Sequence, residues 1–267
     1  MEKPIKLQAS TVSRTDCAVR AGKINVDDTF PITPGIDFVG YVVKCGRNAT
    51  SDHEIKVGDR VAALITHGGN SQYVSIEADK LVQVPRSVKD KDAAVVVETY
   101  LSAFQALHIG ASKEMRYSRQ SLKGKKVFVL GGITTIGQAT IELAALLGAT
   151  VFTNAFPKHF EFLKKLGAHP LGPEEDDWLS ETTGKMDIVI DPIHEDKSYK
   201  ALNAKGQLVC LGIGSHNREP QGCIASLEAW WANAMFGILS RTFHYNIFNN
   251  WKAHLDESKV RTSLFRD

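Results

Sequence analysis

Apolar and polar positions fall into two textures along the chain. Up to about residue 90, short runs suited to strands are broken by turn residues. Ile5-Lys6-Leu7-Gln8-Ala9 alternates, and Phe38 to Val43 is β-branched and aromatic. Val61 to Ile65 follows the turn Lys56-Val57-Gly58-Asp59-Arg60, Tyr73 to Ile76 follows Gly68-Gly69, and Leu81 to Val84 ends at Pro85. Closely spaced short strands predict a small barrel or sandwich. From about residue 91 the period lengthens. Asp92 to His108 reads as a helix, with Tyr100 and Phe104 four apart on one face. Apolar strands then alternate with helices: Val127–Leu130, helix Ile136–Leu147, Val151–Thr153, helix Lys158–Leu166, Ile188–Ile190, helix Tyr199–Leu202 and Leu208–Leu211. Repeated β-α units with continuously apolar strands predict a parallel sheet covered on both faces, the α/β doubly wound class.

Composition changes this picture little. The 267 residues are 43% hydrophobic, enough to build a sizeable core in one large domain or two modest ones. A net charge of +2 gives no general attraction to nucleic acid or an anionic membrane. Cys17, Cys45, Cys210 and Cys223 are widely spaced and form no C-x-x-C pair, which argues against a disulfide framework and suits a reducing compartment. No apolar run reaches a membrane-spanning length, and the opening MEKPIKLQAS lacks an apolar signal core, so the expectation is a cytoplasmic protein. Asn48-Ala49-Thr50 is then a chance match to a glycosylation acceptor.

The candidate chemistry sits at Gly131-Gly132-Ile133-Thr134-Thr135-Ile136-Gly137, between a strand and a helix. A dinucleotide-binding turn needs a first glycine for the bend, a second for close approach of the pyrophosphate and a third for packing helix on strand. Gly132 and Gly137 supply the first and third, while Thr134 stands at the second. The hydroxyls of Thr134 and Thr135 are expected to face the pyrophosphate beside the N-terminal N–H groups of the helix, including that of Ile136. A plain tight turn is the competing reading. The next strand ends Thr153-Asn154-Ala155-Phe156-Pro157-Lys158, with no acid to hold a ribose 2′-hydroxyl. Asn154 removes the charge that would repel a 2′-phosphate and Lys158 would attract it, which favours NADP; an exposed lysine at a helix start reads equally well. Leu211-Gly212-Ile213-Gly214 follows a later strand and suits the cofactor crevice or a simple loop.

In order along the chain, these pieces resemble the medium-chain dehydrogenases and reductases, in particular the zinc-free quinone oxidoreductases and enoyl reductases. The resemblance rests on Val12-Ser13-Arg14-Thr15-Asp16 with Val19-Arg20-Ala21-Gly22, Pro34-Gly35-Ile36-Asp37-Phe38-Val39-Gly40, Val57-Gly58-Asp59-Arg60-Val61, Gly68-Gly69 with Tyr73-Val74, Leu101 to Leu107, and the Gly131–Gly137 turn. It covers about residues 5 to 240. It implies a smaller chaperonin-10-like β-barrel catalytic domain at 1–95 and a dinucleotide-binding Rossmann domain at 96–240. Residues 241–267 would begin a return segment, and the chain is expected to be truncated at both ends. It also implies hydride transfer from a nicotinamide to a quinone, enone or other conjugated carbonyl, and leaves a homodimer open, with the apolar stretch Ile224 to Leu239 at an interface or in the core.

The resemblance also bears on metal. Zinc-dependent relatives carry a Cys where this chain has Ser13 and a His where it has Ile36, so no metal is expected. Ser13 would hydrogen-bond the substrate oxygen where zinc-free relatives often carry Asn. Ser102 matches a position beside the nicotinamide, where it would touch the carboxamide or only satisfy its helix. Asp16 is expected to hold a local turn, pairing with Arg14 or Arg20, and Asp37 to be structural. Tyr41 and Tyr73 are weak candidates for a proton donor, and solvent is an alternative. After Asp191 the family commonly has a glycine-containing turn, whereas this chain has Pro192-Ile193-His194-Glu195. The competing class is an NADP-binding protein or fragment with little or no turnover, acting as a sensor or interaction module.

Overall fold

The computed structural model describes residues 2–22, 31–44, 55–110, 121–192 and 197–211. The expectations for Cys45, Asn48, Gly212, Ile213, Gly214, Cys223, the 193–195 turn, the 224–239 stretch and the 241–267 segment fall outside those residues. Contacts divide the chain into two compact units, and the division falls between Leu101 and Ser102.

The first unit contains one antiparallel sheet. Its strands are β1 (Glu2–Ala9), β2 (Asp37–Val42), β3 (Arg60–Leu64), β4 (Tyr73–Glu77) and β5 (Val82–Gln83), in the order β4-β1-β2-β3-β5. Every strand expected from the alternation forms. The face carrying Ile5, Phe38, Val42, Val61 and Ala63 is buried. Tyr41 and Tyr73 stand on the other side of β1 from each other, both in register with Lys6, and both are exposed.

Two of the sequence motifs prove to be halves of one junction. Gly69 and Asn70 donate their N–H groups to the carbonyls of Gly35 and Pro34, at 2.9 and 3.0 Å. Gly35 has φ of +103°, and a Cβ on it would lie 2.3 Å from the Asn70 nitrogen. Only glycine allows backbone to meet backbone so closely.

A short helix, α1 (Arg14–Arg20), was hidden from the periodicity because seven residues are too few to show a face. Its start was legible in Ser13-x-x-Asp16, an acidic version of the capping box. The long helix α2 (Asp90–Gly110) begins in the first unit and runs past Leu101 into the second.

The second unit is a parallel sheet: β6 (Lys126–Val129), β7 (Thr150–Asn154), β8 (Ala168–Leu171), β9 (Met186–Asp191) and β10 (Leu202–Cys210). The order is β10-β9-β6-β7-β8. The chain therefore starts in the middle, winds outward to β8, then crosses back to β9 and continues the other way. This is the doubly wound arrangement the β-α alternation predicted, with its topological switch between β6 and β9. The helices are α3 (Thr135–Leu146), α4 (Phe160–Lys165) and α5 (Glu175–Thr182). On one side the core gathers Phe128, Leu130, Trp178, Met186, Val189 and Ala201.

Three local expectations are corrected. The helix expected at Tyr199–Leu202 is only a 3₁₀ turn, Ser198–Ala201, and Leu202 already belongs to β10. The helix expected from Lys158 opens with a 3₁₀ turn, Pro157–His159, because Pro157 fixes the backbone of a first turn, and α4 follows. β8 and α5 were missed altogether. Pro170 made β8 look like loop, yet β8 lies at the sheet's edge, where proline is tolerated. The acidic run Glu174 to Asp177 disguised α5, whose Trp178 is its buried anchor.

Candidate functional site

In the first unit the expected polar residues bind one another. Ser13 is the N-cap of α1. Its hydroxyl donates to an Asp16 carboxylate oxygen at 3.0 Å and accepts the Asp16 N–H at 3.4 Å, while its own N–H donates to the same carboxylate at 2.6 Å. The one hydroxyl proton of Ser13 is thus already given away, and a direct bond to a substrate oxygen would break the cap. Asp16 holds the local turn as expected, through the Ser13 and Gly35 N–H groups, the latter at 2.7 Å, in place of the arginine pairing expected for it. Asp37 is fully buried and accepts both the N–H and the hydroxyl of Thr11, at 2.7 and 2.5 Å, which makes it a structural tie. Ile36 is part of the core. Among the described residues, no group of three or more His, Cys, Asp or Glu is arranged to hold a metal ion.

Two carboxyls of the first unit, Asp37 and Glu98, are costly to ionise. Burial pushes the Asp37 carboxyl above its ordinary value, opposed by the two Thr11 bonds and assisted by Asp16. Burial likewise raises Glu98, followed by the charge of Asp37; a Thr99 hydrogen bond opposes this and Asp16 adds to it. A carboxyl whose folded pKa lies above its unfolded value stabilises the fold below the unfolded value, and that contribution is lost as pH rises through the folded one. Glu98→Gln keeps the size and an acceptor for Thr99 but cannot ionise. Its stability relative to the parent should therefore increase as pH rises from about 4, the range where free carboxyls titrate, as read by urea midpoints of both proteins across pH. A difference independent of pH would count against the buried pair.

In the second unit Gly132, Thr134, Thr135, Ile136, Gly137, Thr153 and Asn154 lie at or just beyond the carboxyl ends of β6 and β7, next to the switch point. The bend itself belongs to Gly131, with φ of +64°, one residue before the glycine expected to make it. Gly132 instead lies against β7, and a Cβ there would meet the Thr153 hydroxyl at 2.1 Å. Gly137 is the packing glycine, as expected, since a Cβ on it would be 2.4 Å from the Gly131 carbonyl oxygen.

Thr134 is the N-cap of α3, and this corrects the reading of its hydroxyl. The hydroxyl donates to the Gly131 carbonyl at 2.8 Å and accepts the Gly137 N–H at 3.0 Å. Its single proton is used, so it does not point at a phosphate. It folds back into the turn, which removes the steric objection that a threonine raised at this position. Thr153 is corrected as well. It is fully buried, and its hydroxyl donates to the Val129 carbonyl at 2.6 Å, so it braces the strands and offers nothing to a ligand.

What remains for an anion is the start of α3. Thr135 is exposed, and the N–H groups of Thr135 and Ile136 occupy the first two helical positions, where no intrahelical acceptor exists. The first turn of α3 contains no acid to compete for that end of the helix dipole. Gln138 closes the turn from the other side by donating to the Ile133 carbonyl at 2.8 Å. Gly131 and Gln138 are the functional neighbours the sequence reading passed over; the doubled glycine after Leu130 was the available signal. Asn154 ends β7 beside the turn, and its side-chain oxygen accepts the Gly131 N–H at 2.7 Å. Lys158 is exposed in the 3₁₀ turn just beyond. A pyrophosphate at α3 and a phosphate near Lys158 suit these groups.

Leu211 follows β10 and donates its N–H to the Asp191 carbonyl at 2.9 Å, which sets it at the same carboxyl edge of the sheet. Ser102 is buried on α2. Cys210 is free but buried, and its thiol is pushed far up by burial and then by the charge of Asp191, so it is unreactive at neutral pH. None of the helices among the described residues is long and apolar enough to cross a membrane.

Comparison with known proteins agrees with this layout. Residues 2–86 match the alcohol dehydrogenase GroES-like domain. The chain is 27% identical over 222 residues to a trans-enoyl reductase of Trichoderma harzianum, covering 75% of this chain and 60% of that one. It is 30% identical over 171 residues to a chloroplast envelope quinone oxidoreductase homolog of Arabidopsis thaliana, covering 61% and 50%. The chain thus spans between half and three fifths of the length of these curated relatives. A mycobacterial protein, Rv1454c, solved in complex with NADPH, shares the fold with a TM-score of 0.69 at 21% identity, covering 98% of this chain and 87% of that one.

Proposed function

We propose that the chain, whose residues 2–86 match the alcohol dehydrogenase GroES-like domain, is a medium-chain dehydrogenase/reductase that uses NADP to reduce quinones, enones or related conjugated carbonyls. One observation carries the cofactor half of this reading. The turn at Gly131, the acid-free start of α3, Asn154 and Lys158 lie together where a doubly wound sheet receives a dinucleotide. The relatives named as enoyl reductase and quinone oxidoreductase support the substrate class.

Bound there, NADPH would supply a hydride. The N–H groups of Thr135 and Ile136 would hold its pyrophosphate, with Thr135 adding a hydroxyl. Lys158 would meet the 2′-phosphate, where Asn154 brings no opposing charge. Leu211 would line the nicotinamide side, and Ser102 would touch the carboxamide. Ser13 would reach a substrate only by leaving its cap, so solvent is the simpler proton source.

Fluorescence titration with NADPH and NADH, followed by addition of a quinone or an enone while absorbance is monitored, tests the proposal. The expected result is tighter binding of NADPH and its oxidation by at least one substrate. Failure to bind either nucleotide would overturn it. NADPH binding without oxidation would support the second reading, a nucleotide-binding module, which the committed hydroxyl of Ser13 favours. Lys158→Glu should weaken NADPH by roughly 10- to 100-fold, the range of a lost charge-assisted bond, and leave NADH nearly unchanged in the same titration.

A further inference from the structure

Gly131 is the second residue past β6, and its position is fixed by side chains. Leu130 still bonds into the sheet toward β9, donating its N–H to the Ile190 carbonyl at 3.0 Å. Backbone groups of successive residues face opposite sides of a strand, so the Gly131 N–H faces β7. Among the described residues no backbone carbonyl meets it there. The Asn154 side-chain oxygen does, at 2.7 Å. One residue earlier Thr153 acts in the same way on the Val129 carbonyl. Val129 and Thr153 are the last register pair of the two strands, so the Asn154 side chain takes over from the ladder where the backbones part. The Gly131 carbonyl is held in turn by Thr134, through its N–H at 2.9 Å and its hydroxyl at 2.8 Å.

We propose that Asn154 is the positioning residue of the phosphate turn, holding Gly131 in its left-handed conformation from the neighbouring strand. This deepens the nucleotide-binding reading and rests on it. An amide that accepts from Gly131 must turn its NH₂ away from the turn, and among the described residues that NH₂ has no partner. Aspartate has the same shape and the same accepting oxygen. It would keep the turn and bring a negative charge to the place where the 2′-phosphate lies. Alanine would lose the turn and bring no charge. The two variants thus separate positioning from charge.

The experiment combines nucleotide titration with hydrogen exchange of the Gly131 amide in the nucleotide-free protein. In Asn154→Ala, Gly131 should lose protection, and NADPH and NADH should both weaken by a similar factor, about 2- to 10-fold for one hydrogen bond. In Asn154→Asp, protection should persist, NADH should stay within about twofold, and NADPH should weaken by roughly tenfold or more. Unchanged Gly131 protection in Asn154→Ala would overturn the positioning role. So would a loss confined to NADPH in that variant, or an Asn154→Asp variant that loses protection as the alanine variant does. The exchange result stands without nucleotide, so a parent protein that binds neither cofactor would fail the functional proposal while the anchor is still judged.

Discussion

Trp178→Ala is expected to cost the second unit about 3–5 kcal/mol of stability, the range for removing a large buried aromatic. Trp178 is 2% exposed, and its ring lies 5.3 Å from that of Phe128 at the centre of the parallel sheet. Leu130, Met186, Val189 and Ala201 complete the same cluster. Little backbone rearrangement is open to refill the gap, because α5 is short and the facing strands are central in the sheet. Natural domains have only about 5–15 kcal/mol in hand, so the variant should unfold at a much lower urea concentration, and part of it should be unfolded without denaturant. Trp178→Phe, which keeps a ring against Phe128, should lose less. An alanine variant within about 1 kcal/mol of the parent, far below that range, would show that this cluster does not hold the unit together.

Gly137→Ala is expected to damage nucleotide binding strongly for a single added methyl group. The added carbon would lie 2.4 Å from the Gly131 carbonyl oxygen, 2.8 Å from the Thr134 hydroxyl and 3.1 Å from the Gly132 Cα. Two of these three are backbone atoms, which no rotamer change can move aside. Relief requires the start of α3 to draw back from the turn, breaking the Gly137 to Thr134 cap. Overpacking of this kind costs about 1–3 kcal/mol, and any part of it relieved by displacing the turn is lost from phosphate contacts. NADPH and NADH should weaken together, by about tenfold or more on that scale, in a fluorescence titration. Affinity equal to the parent's for both nucleotides would mean that α3 does not hold the pyrophosphate.

Much of this architecture was legible because it rests on local pattern. The strands of the first unit are short runs between turns, and β6, β7 and β9 of the second carry apolar runs, so the first sheet and the middle of the second followed from pattern alone, while β8 did not. The strand-turn-helix at Gly131–Gly137 was legible for the same reason. The direction of a hydroxyl was not. Thr134 and Thr153 read as ligand donors because they flank the turn, but tertiary neighbours, the Gly131 and Val129 carbonyls, had already taken their protons. Ser13 shows the same limit with a twist. The signature of its cap stood in the sequence at Asp16, and the family resemblance drew attention to catalysis instead. Asn154 was singled out for the charge it lacks, whereas its contact with Gly131 depends on where β6 and β7 part, which no sequence window contains.

Pro170 has a further meaning at the rim of the parallel sheet. Leu171 turns its carbonyl inward to Ala155, so the groups of the preceding residue face outward. The position that would offer a donor to an incoming strand is thus occupied by the one residue that has none. Among the described residues β8 is the end strand of its sheet, so the residue that disguised it as loop also blunts an edge on which a second chain could add a strand.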